Sequence, residues 1–177
     1  RVPPRLTGTP MWGRYDSRAS GAQRVSAYRR VPNEGQGNCV PLALAQALAE
    51  YGSPLEARTI RRLIATHMTK HSCRFAPIWQ RGRLSSPLQL ADLDFDEYVD
   101  HISQDATWMS RLELQAFAEI FRCSISVFQE RSRPAFVVGS HHRCTPNIAL
   151  QVQEGHCEWL HRTTTPVYPA AIPPTSA

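Results

Sequence analysis

Ser110-Arg111-Leu112-Glu113-Leu114-Gln115-Ala116-Phe117-Ala118-Glu119-Ile120-Phe121-Arg122-Cys123-Ser124-Ile125-Ser126-Val127-Phe128 is the stretch on which the fold turns. Ser110 followed three residues later by Glu113 is a capping box, so a helix starts here. Leu114, Phe117, Ala118 and Phe121 then recur at helical spacing and point to one buried face. After Phe121 the period drops from 3.6 to 2, and Cys123–Phe128 reads as a strand. Helical patterns lie upstream of this switch and strand patterns downstream.

Downstream, Ala135–Val138 is expected as a second strand and Asn147–Val152 as a third. Glu154-Gly155 turns the chain into a fourth, His156–Leu160, making an antiparallel hairpin of the last two. Upstream, Gly35-Gln36-Gly37-Asn38 is a turn. It opens an Ala/Leu-rich helix from Cys39 to Tyr51 that Gly52 closes. The apolar residues of that helix nearly surround it, which suits a buried central position. Ser53-Pro54-Leu55-Glu56 reads as another capping box, starting a helix to about His71 with Ile60, Leu63, Ile64 and Met68 on one face. Residues 72–85 read as loop. Ser86-Pro87-Leu88-Gln89 repeats the start signal for a helical stretch to about Ile102. A short strand is expected near Val25–Val31. Helices followed by strands give an α+β domain with one small sheet and helices on its sides.

The 177 residues suit one domain with loose ends. Residues 1–24 are expected to be an Arg-rich flexible arm, 25–165 the folded domain and 166–177 a Pro-rich tail or linker. The first residue is Arg1 rather than Met, which we read as a piece of a longer polypeptide. The net charge is +5, with much of the excess in Arg1, Arg5, Arg14, Arg18, Arg24, Arg29 and Arg30. No aromatic-plus-basic pattern accompanies these residues, so nucleic acid is not an expected partner. No apolar run approaches the roughly 20 residues that a membrane helix needs. Five cysteines without paired spacing argue against a disulfide framework and for a reducing, cytoplasmic or nuclear compartment.

Two residues carry candidate chemistry. Cys39 opens a helix, where the dipole and unpaired N–H groups are expected to favour thiolate. The N–H groups of Gln36, Gly37, Asn38 and Cys39 could form an oxyanion hole. His156 begins a strand, where it can be both held and exposed. Glu158, two residues on, shares its face about 7 Å along and can orient the ring. A nucleophile, a base and an orienting group are what thiol acyl transfer requires. A competing pattern, His67, His71 and Cys73 with His141, His142 and Cys144, could supply four ligands to Zn²⁺. It lacks any Cys-x-x-Cys pair, and no metal or other cofactor is expected.

Three blocks in order resemble the ovarian-tumour (OTU) family of cysteine proteases. Gln36–Ala43 resembles the nucleophile motif, Asp-Gly-Asn-Cys-Leu-Phe running into a helix. Thr107–Ala118 resembles the second block, a Trp-Gly turn leading into a Glu-Leu-x-Ala helix, with Tyr98, Val99, His101 and Ile102 on the helix before it. Ile148–Leu150 through His156–Leu160 resembles the His block. The resemblance implies a papain-like OTU fold, α+β, with a small, mainly antiparallel sheet packed between helices. It implies hydrolysis after the C-terminal glycine of ubiquitin or a ubiquitin-like modifier, with that modifier and its conjugates as partners and no membrane. It implies Cys39 as nucleophile, His156 as base, Glu158 as orienter, and Gln36, Gly37 and Asn38 around the oxyanion. Trp108 and Trp159 are candidates for the substrate channel. Gln36 stands where the family has an acid, Met109 where it has Gly, and Pro41 and Cys157 where it has aromatics. These departures mark a divergent member, of a kind expected in a viral or mobile-element polyprotein. An inactive ubiquitin-binding scaffold and a self-processing protease are the alternative readings, and the domain is expected to be monomeric within a larger chain.

Overall fold

The structure, a computed structural model, describes residues 28–82, 88–129, 134–139 and 146–163. The expected arm at 1–24, the tail at 166–177, Ser86-Pro87 and the group His141, His142 and Cys144 lie outside the described residues. In chain order the elements are β1 (Tyr28–Val31), α1 (Cys39–Glu50), α2 (Ala57–Lys70), α3 (Ser72–Gly82), α4 (Leu88–Ala91), α5 (Phe95–Ser103), α6 (Arg111–Ile120), β2 (Ser124–Phe128), β3 (Pro134–Gly139), β4 (Asn147–Gln153) and β5 (His156–Arg162). Among the described residues no helix is long and apolar enough to cross a membrane.

The strands form one sheet in the order β1-β5-β4-β2-β3. Only β2 and β4 run parallel; the other three neighbours pair antiparallel. The class is therefore α+β with a mainly antiparallel sheet. The hairpin between β4 and β5 turns on Glu154 and Gly155, both at positive φ (50° and 80°). That is the geometry of a two-residue turn that follows strand twist. It pairs His156 with Gln153 and Glu158 with Gln151.

Strand periodicity sorts the side chains. Ile125, Val127, Phe136, Val138, Ile148, Leu150, Val152 and Cys157 join the main core with the buried faces of the helices. His156, Glu158 and Leu160 point the other way. Among the described residues the helices gather on the first of these faces. Each large apolar side chain taken out of water there contributes about 1.5–3 kcal/mol, offset by the entropy of ordering it. Helix α1 lies across β5 and β4, with Ala43, Leu44 and Ala47 fully buried. Gly52 at φ 75° ends it, and the Ser53 N–H closes back on the Leu48 carbonyl at 2.9 Å.

Four local expectations are corrected. Ser53 does not open α2: its N–H is spent capping α1, and the next helix begins at Ala57 with Glu56 extended and making no side-chain cap bond. The inward face of α2 holds Ile60, Ile64 and Met68 as expected but differs at Leu63. Leu63 is exposed, whereas Arg61 is fully buried in line with Ile64, Ala65 and Met68. The expected loop at 72–85 contains α3. Phe75 and Trp79, four apart, insert into the core, and Trp79 stacks on Tyr98 with centroids 3.7 Å apart. Their burial outweighs the hydrogen bond that Pro77 forfeits inside the helix. The single helical stretch to Ile102 is instead α4 and α5, because Asp94 starts a new helix. Its carboxylate accepts from the Glu97 N–H at 2.8 Å, and Glu97 accepts from the Asp94 N–H at 2.9 Å.

The box at Ser110 is present. Glu113 accepts from the Ser110 N–H at 2.5 Å, and the other Glu113 oxygen accepts from the Tyr98 hydroxyl at 2.7 Å inside the core. Burial first, and then the Glu113 carboxylate, push the Tyr98 hydroxyl well above its ordinary pKa, so it stays a donor.

Candidate active site

The loop before α1 is held in an unusual backbone shape. Gly35, Gln36 and Gly37 all have positive φ, at 74°, 53° and 85°. Glycine is required at 37 for a second reason: a Cβ there would lie 2.0 Å from the Ala106 carbonyl oxygen. The Asn38 N–H donates to the Gly35 carbonyl at 2.9 Å, so that group is withdrawn from any oxyanion role. The Gln36 side chain is exposed. Asn38 caps no helix N–H. Its side-chain oxygen instead faces inward and accepts from the Arg61 guanidinium at 2.8 and 3.1 Å and from the Ala106 N–H at 3.1 Å.

Cys39 follows as the first residue of α1 and is 5% exposed. Burial pushes its thiol above the ordinary value. The N–H groups of Cys157, Val40 and Cys39 and the charge of Arg61 pull the other way. The expectation of a thiol lowered by the helix terminus is thus corrected: desolvation outweighs these donors. The Cys157 N–H that faces the sulfur belongs to the residue next to His156, so the α1 terminus sits against the start of β5. Asn33, which sequence reading passes over, fastens this junction. Its amide nitrogen donates to the Cys157 carbonyl at 2.8 Å and to the Cys39 carbonyl at 3.4 Å, while its oxygen accepts from the Gly35 N–H at 3.1 Å.

His156 stands over Gly35, close enough that a Cβ there would lie 3.0 Å from both Cε1 and Nδ1. Its Nε2 is 3.7 Å from one oxygen of Glu158, beyond hydrogen-bond length but within ion-pair range. The other Glu158 oxygen accepts from Nε of Arg30 on β1. Glu158 is nearly buried, while His156 is more than a third exposed. A carboxylate therefore joins a guanidinium to an imidazole, and Nδ1 is the nitrogen left for a thiol. These three residues, with Gln151, Gln153 and Glu154, line a half-open hollow of about 370 Å³ on the face of β5 turned away from the described helices.

The two tryptophans part company. Trp108 is 40% exposed and lies over the β4–β5 turn, where a Cβ on Gly155 would be 2.8 Å from its ring. It is thus a neighbour of His156. Trp159 is half-buried on the opposite face of β5 from His156 and Glu158, edge-on to His161 and packed against the main core. Of the metal pattern, the His67 and His71 rings lie 4.5 Å apart, tilted by 50°, but His67 Nε2 faces Glu119 at 3.0 Å and Arg74 pairs with the same carboxylate. No group of three or more His, Cys, Asp or Glu among the described residues could hold a metal. The described cysteines, Cys39, Cys73, Cys123 and Cys157, are free thiols.

A thiol at a helix terminus, an imidazole on the adjoining strand and a carboxylate beside that imidazole are thus gathered at one junction. The comparisons with known proteins give the family. The OTU-like cysteine protease family matches residues 34–159, and the chain belongs to that family. It is similar to the mouse (Mus musculus) deubiquitinase OTUD6B, at 27% identity over 138 residues, covering 76% of this chain and 44% of the relative. The human OTUD6B is 26% identical over the same length, again covering 44% of that protein. The chain thus spans less than half the length of these curated relatives. In fold it resembles an OTU deubiquitinase from Wolbachia pipientis solved bound to ubiquitin, with a TM-score of 0.62 and 13% identity over 78% of this chain and 98% of that one. The Hazara virus OTU bound to ubiquitin gives a TM-score of 0.58 and 18% identity over 85% and 95%.

Proposed function

We propose that this chain is a thiol-dependent deubiquitinase, hydrolysing the isopeptide or peptide bond after the C-terminal glycine of ubiquitin or a ubiquitin-like modifier. The observation that carries the reading is the junction of α1 with β5. It sets the Cys39 sulfur against the Cys157 N–H, one residue from His156, with Glu158 behind the imidazole. The family membership and the ubiquitin-bound neighbours supply the substrate class.

In the proposed reaction the Cys39 sulfur attacks the glycine carbonyl carbon and His156 takes the thiol proton. The carbonyl electrons move to oxygen, which the free N–H groups of the loop at 36–39 stabilise. Collapse breaks the C–N bond, His156 gives its proton to the leaving amine, and a thioester remains. Water then attacks with His156 as base, releasing the glycine carboxylate and restoring the thiol. Glu158 orients the ring throughout, and Trp108 borders the channel for the glycine tail. Free thiols suit action in the cytoplasm or nucleus, and we place the domain at 25–165, as a monomeric part of a larger chain.

The test is reaction with ubiquitin carrying a C-terminal thiol-reactive warhead, beside Cys39→Ala. A covalent adduct that disappears in the variant is expected. Absence of an adduct, with Cys39 still open to a small alkylating agent, would reject ubiquitin as the modifier.

A further inference from the structure

Arg61 is fully buried, yet no carboxylate lies within ion-pair distance of it among the described residues. Its guanidinium is satisfied entirely by neutral acceptors. Nη2 donates to the Gly37 carbonyl at 2.9 Å, to the Asn38 side chain at 2.8 Å and to the Thr107 carbonyl at 2.5 Å. Nη1 donates to the Ile102 carbonyl at 3.0 Å and the Thr107 hydroxyl at 2.9 Å, and Nε to Asn38 at 3.1 Å. These bonds tie the loop before Cys39 to the segment that follows α5. They satisfy the donors but leave a formal charge in the interior, which costs more than a neutral side chain of like shape would.

An unpaired buried cation is tolerable where a negative charge develops beside it. The negative charge this site develops is the Cys39 thiolate, followed by the oxyanion. We infer that Arg61 is a positioning residue of this site, which locks Gly37 and Asn38 in the nucleophile loop and supplies the fixed positive charge behind Cys39. This rests on Cys39 being the nucleophile.

The other titratable groups around the loop and β5 do not replace it. On β5, His156 is shared with Glu158, and Cys157 is itself a buried thiol. Asp105, exposed beside the loop, and Glu113 on α6 are negative, and Arg30 on β1 is committed to Glu158. Arg61 itself is drawn below its usual pKa by burial and held charged by Asp105, Cys39 and Glu113.

The experiment follows the pH dependence of Cys39 alkylation by iodoacetamide, read by mass spectrometry of the Cys39 peptide, in the wild type, Arg61→Gln, Arg61→Lys and Asn38→Asp. Asn38→Asp keeps the acceptor and the shape but pairs a carboxylate with Arg61, cancelling its charge without deleting it. That variant is expected to fold even if Arg61→Gln does not. The apparent thiol pKa is expected to rise by about one unit in Arg61→Gln and Asn38→Asp, and by less in Arg61→Lys, which keeps the charge. A merely structural Arg61 would lower rates in Arg61→Gln and Arg61→Lys and leave their midpoints in place. An unchanged midpoint in Asn38→Asp overturns the inference. Failure of wild-type Cys39 to react with pH dependence would overturn the proposed nucleophile as well, which separates the two readings.

Discussion

Replacing Glu158 by Ala removes the carboxylate behind His156 while leaving the thiol, the loop and the core in place. Its worth follows from the geometry. At 3.7 Å, an imidazolium and a carboxylate attract by about 1.1 kcal/mol at the dielectric constant of water, and by about 4.5 kcal/mol at an effective constant of 20. His156 is 38% exposed at its side chain and Glu158 10%, so the pair lies between these limits. Arg30, bound to the second Glu158 oxygen, neutralises part of the field. About 1–3 kcal/mol of stabilisation is therefore lost from each transition state that carries the imidazolium, a fall of roughly 5- to 150-fold in kcat. The assay is hydrolysis of ubiquitin carrying a C-terminal fluorophore. KM should change little, because Glu158 is nearly buried and acts on the His156 ring, and Glu158→Gln should fall between wild type and Ala. Full activity in Glu158→Ala, within twofold of wild type, would refute Glu158 as the orienting group.

Gly37→Ala forces a Cβ to within 2.0 Å of the Ala106 carbonyl at a φ that disfavours it. Turnover should fall by at least about 100-fold while the circular dichroism spectrum is kept, since a displaced loop misaligns the nucleophile. Tyr98→Phe strips a donor from a fully buried carboxylate and should lower stability in urea by about 1.5–3 kcal/mol. Burial pushes the Cys123 thiol up to about 12 from an ordinary 9.0, and the Cys157 thiol well above the same value. Between those limits the unfolded chain has released protons that the folded one keeps, so stability falls as pH rises. The slope is up to about 1.4 kcal/mol per pH unit for each thiol. Urea midpoints from pH 8.5 to 10.5 should show this decline, and Cys123→Ala should make it shallower; an unaltered slope would refute the assignment.

How much of this was legible in the sequence depended on whether a local signal agreed with the tertiary one. The helix after Cys39, the box at Ser110 and the Glu154-Gly155 hairpin each carry their own start or turn chemistry, and each stands where expected. Helix α3 carries the opposite, a proline and two arginines. Only the spacing of Phe75 and Trp79 hinted at a buried face. Arg61 was hidden by its type, because an arginine beside Arg62 reads as solvated. The signal lay in its phase: 61, 64, 65 and 68 follow the spacing of one helix face. Asn33 offered no signal, since its partners Cys39 and Cys157 meet only through the fold. The raised Cys39 thiol is of the same kind, for desolvation is a property of the packed site. Trp159 stands three residues after His156 in the chain, and strand alternation sends it to the opposite face of β5.

The position of β5 between β1 and β4 has a consequence for the order of assembly. The ties that bring base to nucleophile span most of the folded chain: Arg30 to Glu158 is 128 residues apart and Asn33 to Cys157 is 124. Closing a loop of that size costs about 4 kcal/mol in chain entropy, so these contacts form late, once the helices and the β2–β4 pairing have drawn the ends together. During synthesis Cys39 leaves the ribosome more than a hundred residues before His156 does. On the proposed mechanism the growing chain carries Cys39 long before it carries the imidazole meant to activate it, and competence would arrive with β5.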